Sequence, residues 1–211
     1  MAHERIRMTD NSELVHWQKR FAAPGYLYGT EPNTFLRTHA HLLHKGEKAL
    51  AVADGEGRNG VFMAEQGLDV LSVDFSLLAQ EKARKLAKER GVTLRIEQVD
   101  IVAWDWPNEA FDVVAAIFIQ FAFPAAREKI FAGIKKTLKP GGLLLLEGYS
   151  VKQLEYDTGG PRDPTQLYTR ALLQDAFGGF SSLDIREYDG VVSEGARHSG
   201  VSALIDVVGR K

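Results

Sequence analysis

The chain has 211 residues, 45% hydrophobic and 26% charged, with a formal net charge of -2 and no cysteine. That length buries one good core and predicts one domain, and the missing thiols exclude disulfides, thiolate zinc sites and cysteine nucleophiles. The basic residues are dispersed, no apolar signal core opens the chain and no apolar run reaches about 18 residues, so a soluble, cytoplasmic protein with neither nucleic-acid nor membrane partners is expected.

Taken in order, Leu14 to Phe21 and Thr34 to Leu43 read as helices. Residues 22–33 between them are dense in aromatics and turn formers and read as a lid over a ligand. Ala49 to Ala53 is a buried strand that runs into Gly55-Glu56-Gly57-Arg58-Asn59-Gly60 and a helix to Gln66. Strand Val70 to Val73, helix Leu77 to Arg90 with Ser76 as its N-cap, and strands Leu94 to Val99 and Val113 to Phe118 follow. Helix Ala125 to Leu138 and strand Leu143 to Glu147 complete the alternation, which means parallel strands with crossover helices.

After a polar loop at 156–164, Leu167 to Phe177 reads as a helix. Leu183 to Tyr188 and Val201 to Val208 then follow with no helix between them, a connection that permits only antiparallel pairing. The expected fold is α/β: a doubly wound, mostly parallel, seven-stranded Rossmann-like sheet with a C-terminal antiparallel hairpin. Its parts are an N-terminal helical lid (1–45), a cofactor-binding core (46–150) and a C-terminal helix with antiparallel strands (151–211).

The glycines at 55, 57 and 60 match G-x-G-x-x-G, and Asp74 stands at the end of the next apolar run, near the roughly 20-residue spacing of a ribose-binding carboxylate. A dinucleotide would press its pyrophosphate against this loop, yet the loop carries Asp54 and Glu56. S-adenosylmethionine brings a sulfonium, an ammonium and one carboxylate instead, and an acidic loop suits that cofactor.

Gly55-Glu56-Gly57-Arg58-Asn59, Asp74-Phe75-Ser76, Asp100-Ile101, Phe111-Asp112-Val113-Val114 and Leu138-Lys139-Pro140-Gly141-Gly142 together resemble class I S-adenosylmethionine-dependent methyltransferases over most of the chain. With Trp17-Gln18-Lys19-Arg20-Phe21 and Tyr28-Gly29-Thr30-Glu31-Pro32-Asn33, the loop looks like the small tellurite-resistance and thiopurine-methyltransferase-like branch. The resemblance implies methyl transfer from S-adenosylmethionine to a small acceptor such as a thiol or a chalcogen species. The pattern departs at Ala51, where the wider family often has an acid, and at Ala53, where a glycine is usual. Asp54 is then a substitute contact for the ammonium, backbone carbonyls and water being the alternative.

In this reading Gly55 and Gly57 let the backbone approach the methionine half, and Asp74 accepts both ribose hydroxyls. Phe75 packs on adenine with Ser76 beside it, Asp100 accepts the adenine amino group and Ile101 adds apolar contact. Ile117 and Phe118 end the fourth strand, where open α/β sheets hold ligands, and Gln120 and Phe121 face the acceptor. Trp17, Tyr28 and Phe35 wall the acceptor site or cover the sulfonium, while Arg162 and Arg197 attract an anionic acceptor. His198 is the candidate base for an acceptor that must lose a proton. His39, His41 and His44 lack the i, i+4 spacing of a helical metal pair, and no metal is assigned. Two other readings stand beside this one: a binder of S-adenosylmethionine or S-adenosylhomocysteine without transfer, and a nicotinamide oxidoreductase, which lacks here a Tyr-x-x-x-Lys pair. The assembly is a monomer or a homodimer.

Overall fold

The computed structural model describes residues 17–195 and 198–211, with the side chain of His198 also left undescribed. Seven strands form one sheet in the order β3-β2-β1-β4-β5-β7-β6. β1 (Lys48–Val52), β2 (Asp69–Asp74), β3 (Arg95–Gln98), β4 (Phe111–Ile117) and β5 (Leu138–Tyr149) pair in parallel. β6 (Ser182–Glu194) and β7 (His198–Arg210) form an antiparallel hairpin whose β7 arm lies along β5. The expected sheet and its closing hairpin are both present.

Side chains alternate across a strand, so both faces of the central strands are apolar. Leu50, Val52, Val114, Ala116, Leu144 and Leu146 point to a core shared with Ile130, Phe131 and Ile134 of α5 (Pro124–Thr137) and with Leu173 and Phe177 of α6 (Arg170–Phe177). Ala49, Ala51, Val113, Ala115, Leu143 and Leu145 face Phe35 and Leu36 of α2 (Thr34–Thr38) and Phe62 and Met63 of α3 (Arg58–Glu65). α4 (Leu77–Arg90) lies beside α3, joined through Val61, Leu86 and Ala87. Residues 17–21 are helical and form α1.

Local chemistry sets the element ends. Ser76 is the N-cap expected for α4, accepting the Ala79 N–H, and Gly91 closes that helix in a left-handed turn. The helix expected from Leu167 starts only at Arg170, because the Tyr168 N–H donates to the Tyr149 carbonyl and Thr169 caps the following turn. The helix expected from Thr34 to Leu43 is interrupted at His39 and continues as a short 3-10 turn, Ala40–Leu42.

The glycine loop has requirements of its own. Gly57 has φ of 89°, and a Cβ there would lie 2.5 Å from the Cβ of Ala83, so this glycine seats the loop against α4. Gly60 leaves the space that the Asp54 carboxylate occupies. Ala53, at φ of 49°, holds the left-handed conformation for which a glycine is the unstrained residue. Ala53→Gly should therefore raise stability by about 0.5–1 kcal/mol, the left-handed strain of an alanine less the added entropy of a glycine. A higher midpoint in urea denaturation is expected, and a lower one would contradict strain at this position.

Candidate cofactor and acceptor site

A cavity of about 890 Å³ opens at the carboxyl ends of β1, β2 and β4, where parallel sheets receive ligands. One end is walled by Ala53, Asp54, Gly55, Glu56, Asp74 and Phe75. The other is walled by Phe118, Phe121, Tyr149, the 157–162 loop and Ser199. Trp17, Arg20, Phe21, Tyr28 and Gly29 from the N-terminal segment flank the opening.

Asp74 organises the first end. One of its carboxylate oxygens accepts the Gly55 N–H and the other accepts the Ser76 N–H, each at 2.9 Å. Burial raises its pKa to about 6, although these two donors favour the charged form. Each oxygen keeps a second lone pair, which suits a pair of vicinal hydroxyls.

The loop acids behave differently from the expectation. Asp54 accepts the Gly60 N–H at 3.1 Å and the Ser72 hydroxyl at 2.7 Å, which fastens the start of α3 to β2, and burial lifts its pKa to about 7. Glu56 accepts the Leu27 N–H at 2.6 Å and pairs with Lys82 at 2.7 Å. Both carboxylates line the cavity but are already satisfied by the protein. The acidity of the loop thus serves the architecture first.

Arg58 is buried and donates from Nη2 to Glu194 at 2.6 Å. Asn59 lines the same wall and accepts the Asn33 N–H. The Asn33 side-chain amide in turn donates to both Glu147 and Glu194. Glu147 faces Asp206 across the β5–β7 ladder. Burial raises both carboxyls, Asp206 to about 6, and the charge of Asp206 raises Glu147 further.

Several expected contacts lie elsewhere. Ser76 is fully buried, with its hydroxyl engaged by Ala79 and Gln18, and Gly57 packs on α4, so neither lines the cavity. Asp100 and Ile101 are also absent from its wall: Asp100 accepts the Val102 N–H and closes a turn, while buried Ile101 receives the Trp106 indole N–H at its carbonyl. Phe35 packs in the core beneath α2 instead of walling the acceptor space, because the helix turns it toward the sheet. Gln120 lines the cavity with its amide spent on the Tyr149 backbone and the Gln166 carbonyl. Arg162 reaches the rim but pairs with Asp157 at 2.5 Å, and the Trp17 ring is already covered by the Arg20 guanidinium at 4.6 Å. Ile117, Phe118, Phe121 and Tyr28 line the cavity as expected, Phe118 in a left-handed conformation with φ of 53°. Arg197 and the imidazole of His198 lie outside the described residues.

Arg20, Phe21 and Tyr149 are wall residues that the sequence reading passed over. Trp17, Arg20 and Phe21 share i, i+3, i+4 spacing, a signal that one helix face would meet one ligand. Tyr149 ends a strand that reads only as core. Among the described residues no group of three or more histidine or acidic side chains is arranged to hold a metal, and no helix is long and apolar enough to cross a membrane.

Residues 49–142, which carry the glycine loop, Asp74 and the β4 edge of the cavity, match the family described as a methyltransferase domain. The matched stretch is a methyltransferase domain, and the chain around it has the class I S-adenosylmethionine-dependent methyltransferase fold. Phosphatidylethanolamine N-methyltransferase of Cereibacter sphaeroides is 27% identical over 131 residues, 61% of this chain and 64% of the relative. Demethylmenaquinone methyltransferase of Thermus thermophilus is 31% identical over 102 residues, 47% and 46% of the two chains. The chain thus spans between about half and just under two-thirds of such curated relatives.

Among solved structures, a protein studied for the conversion of a disulfide bond into a thioacetal group during echinomycin biosynthesis superposes with a TM-score of 0.70 at 20% identity, covering 96% of this chain and 90% of its own. TehB from Haemophilus influenzae gives 0.68 at 16%, covering 93% and 66%. These likenesses show the shared methyltransferase fold.

The cofactor of the family is S-adenosylmethionine, and the residues present fit it. Asp74 has lone pairs that would suit a ribose, Phe75 a ring on the cavity wall that would suit an adenine, and Gly55 a backbone without a side chain that would suit the methionine portion. Burial shifts Asp54, Asp74, Glu147 and Asp206 upward, so the native state holds protons that the unfolded chain releases near its usual carboxylate range of about 4. Their stabilising protonation is fully present near pH 4 and is lost as pH rises to about 7. Urea unfolding of the ligand-free protein should accordingly show lower stability at about pH 8 than at about pH 5.5, with Asp54→Asn flattening the difference. Stability that climbs steadily over that range would contradict the burial of these acids.

Proposed function

We propose that the chain transfers a methyl group from S-adenosylmethionine to a small acceptor that arrives with its own reactive electron pair, a thiol or a chalcogen species. The observation that carries this reading is the chemistry of the acceptor end of the cavity. Phe118, Phe121 and Tyr149 give its wall an aromatic side, and of its polar side chains Gln120 and Arg162 already have protein partners.

When bound, S-adenosylmethionine supplies a methyl group activated on a sulfonium. The chain's own contribution is placement and exclusion of water. Asp74 holds the nucleoside end, Gly55 leaves room for the methionine portion, and the aromatic wall narrows the approach along the line of displacement. Tyr28 and Phe21 close the side over the glycine loop, where a Cβ on Gly55 would meet the Phe21 ring at 3.5 Å. An acceptor with a low pKa needs no proton removed by the protein. The tellurite-resistance and thiopurine-methyltransferase-like branch is where we place the chain, on its loop and N-terminal motifs. The binder without transfer would share the cofactor end, so turnover is the discriminating observable.

Incubation with S-adenosylmethionine and a series of small thiols should yield the methyl thioethers together with S-adenosylhomocysteine, detected by mass spectrometry. The rate should rise with pH through each thiol's own pKa, about 8.5 for a simple alkyl thiol, and His198→Ala should leave the rate unchanged. A rate that follows one enzyme pKa for every thiol, and collapses in His198→Ala, would assign the proton to the protein and contradict this reading.

A further inference from the structure

Arg58 stands in an incomplete environment. It is the first residue of α3, on the loop whose Gly55 and Asn59 line the cavity, and it lines the cavity itself. The residue is 8% exposed. Nη2 is committed to Glu194, yet Nη1 has no hydrogen-bond partner among the described residues. A guanidinium N–H buried without an acceptor is costly, and native proteins rarely leave one unmatched unless a ligand completes it.

The neighbours do not supply that acceptor. Asp54 is engaged by Gly60 and Ser72, and Glu56 by Leu27 and Lys82. Glu194 meets only the other edge of the guanidinium: its Oε2 takes Arg58 Nη2, and its Oε1 takes the Asn33 amide and the Thr34 N–H. Asn33 is the N-cap of α2 and ends the segment that runs past the cavity from Trp17. Arg58 is therefore the first link of a chain from the glycine loop through Glu194 to Asn33.

We propose that Arg58 Nη1 receives the carboxylate of the cofactor's amino-acid end, and that the bridged guanidinium then tightens the hold that Glu194 and Asn33 already have on residues 26–34. This rests on the S-adenosylmethionine reading. A planar guanidinium presents separate edges to two carboxylates, a geometry that a lysine ammonium does not reproduce. Arg20 is the other cation on the wall, and it lies over the Trp17 ring without a link to Asn33. The amino-acid end of the cofactor thus reports its own arrival to residues 26–34, and a nucleoside lacking that carboxylate occupies the cavity without tightening them further.

The test is calorimetric titration with S-adenosylhomocysteine and with its decarboxylated analogue, S-adenosyl-3-thiopropylamine. The unaltered protein should prefer the former by about 10- to 100-fold, the range of one charged hydrogen-bonded contact, and Arg58→Met should abolish the preference while keeping affinity for the analogue. Arg58→Lys should restore only part of it. A readout that needs no variant is amide hydrogen exchange at 26–34: saturation with S-adenosylhomocysteine should slow it and equal saturation with the analogue should not. Preference retained in Arg58→Met, preference lost instead in Arg20→Met, or equal protection by both ligands would overturn the proposal. Failure of the unaltered protein to bind either ligand would remove the cofactor reading itself, a different result from binding both equally.

Discussion

The carboxylate of Asp74 is the constraint on which the site depends. It receives one backbone N–H from the loop after β1 and one from the turn after β2, so two separate connections are held at one buried point. Parallel pairing of β1 with β2 places the ends of both strands side by side, and only a group with two acceptor oxygens satisfies both loops at once. The arrangement keeps Gly55 facing the cavity and starts α4 where Ser76 caps it. A carboxylate raised toward pH 6 by burial remains mostly ionised at neutral pH, with lone pairs to spare for hydroxyl donors.

Around that point the protein surrounds a polar cavity with acids that it satisfies internally. Glu56 holds Leu27 and Lys82, while Lys82 also reaches the Ala23 carbonyl and Tyr26 the Lys82 carbonyl, so the N-terminal segment is tied to the glycine loop and α4. Asn33 joins the same segment to the ends of β5 and β6 through Glu147 and Glu194. Gly195 continues this contact, because a Cβ there would collide with Leu27 and Tyr28. The N-terminal segment is thus tied at both ends by hydrogen bonds, part-buried at Tyr26 and Leu27 and buried at Asn33.

The sheet was legible in the sequence because two-sided burial leaves continuous apolar runs, and the missing helix between the last two strands forced an antiparallel ending. Asp74, Gly55, Phe75 and Phe118 were legible because strand ends and glycines mark the ligand edge of a parallel sheet. The protein partners of the loop acids were hidden: nothing in the linear order shows that Ser72 and Gly60 meet Asp54, or that Lys82 of α4 meets Glu56. Phe35 and Trp17 look alike as aromatics near the lid, and only the direction of α2 sends one to the core. The Arg58–Glu194–Asn33 chain spans most of the sequence and could emerge only from the folded sheet. Ala53 is the reverse case, since its departure from glycine is visible in the sequence and its left-handed backbone explains why glycine is the usual residue.

The central claim is that this cavity is built for S-adenosylmethionine around Asp74. It is tested most directly by parallel calorimetric titration of the unaltered protein and Asp74→Ala with S-adenosylmethionine, with NADH as the control. The account predicts micromolar binding of S-adenosylmethionine, a loss of about 10- to 100-fold in Asp74→Ala and no heat from NADH. Binding of NADH alone, or affinity for S-adenosylmethionine that ignores the loss of Asp74, would contradict it.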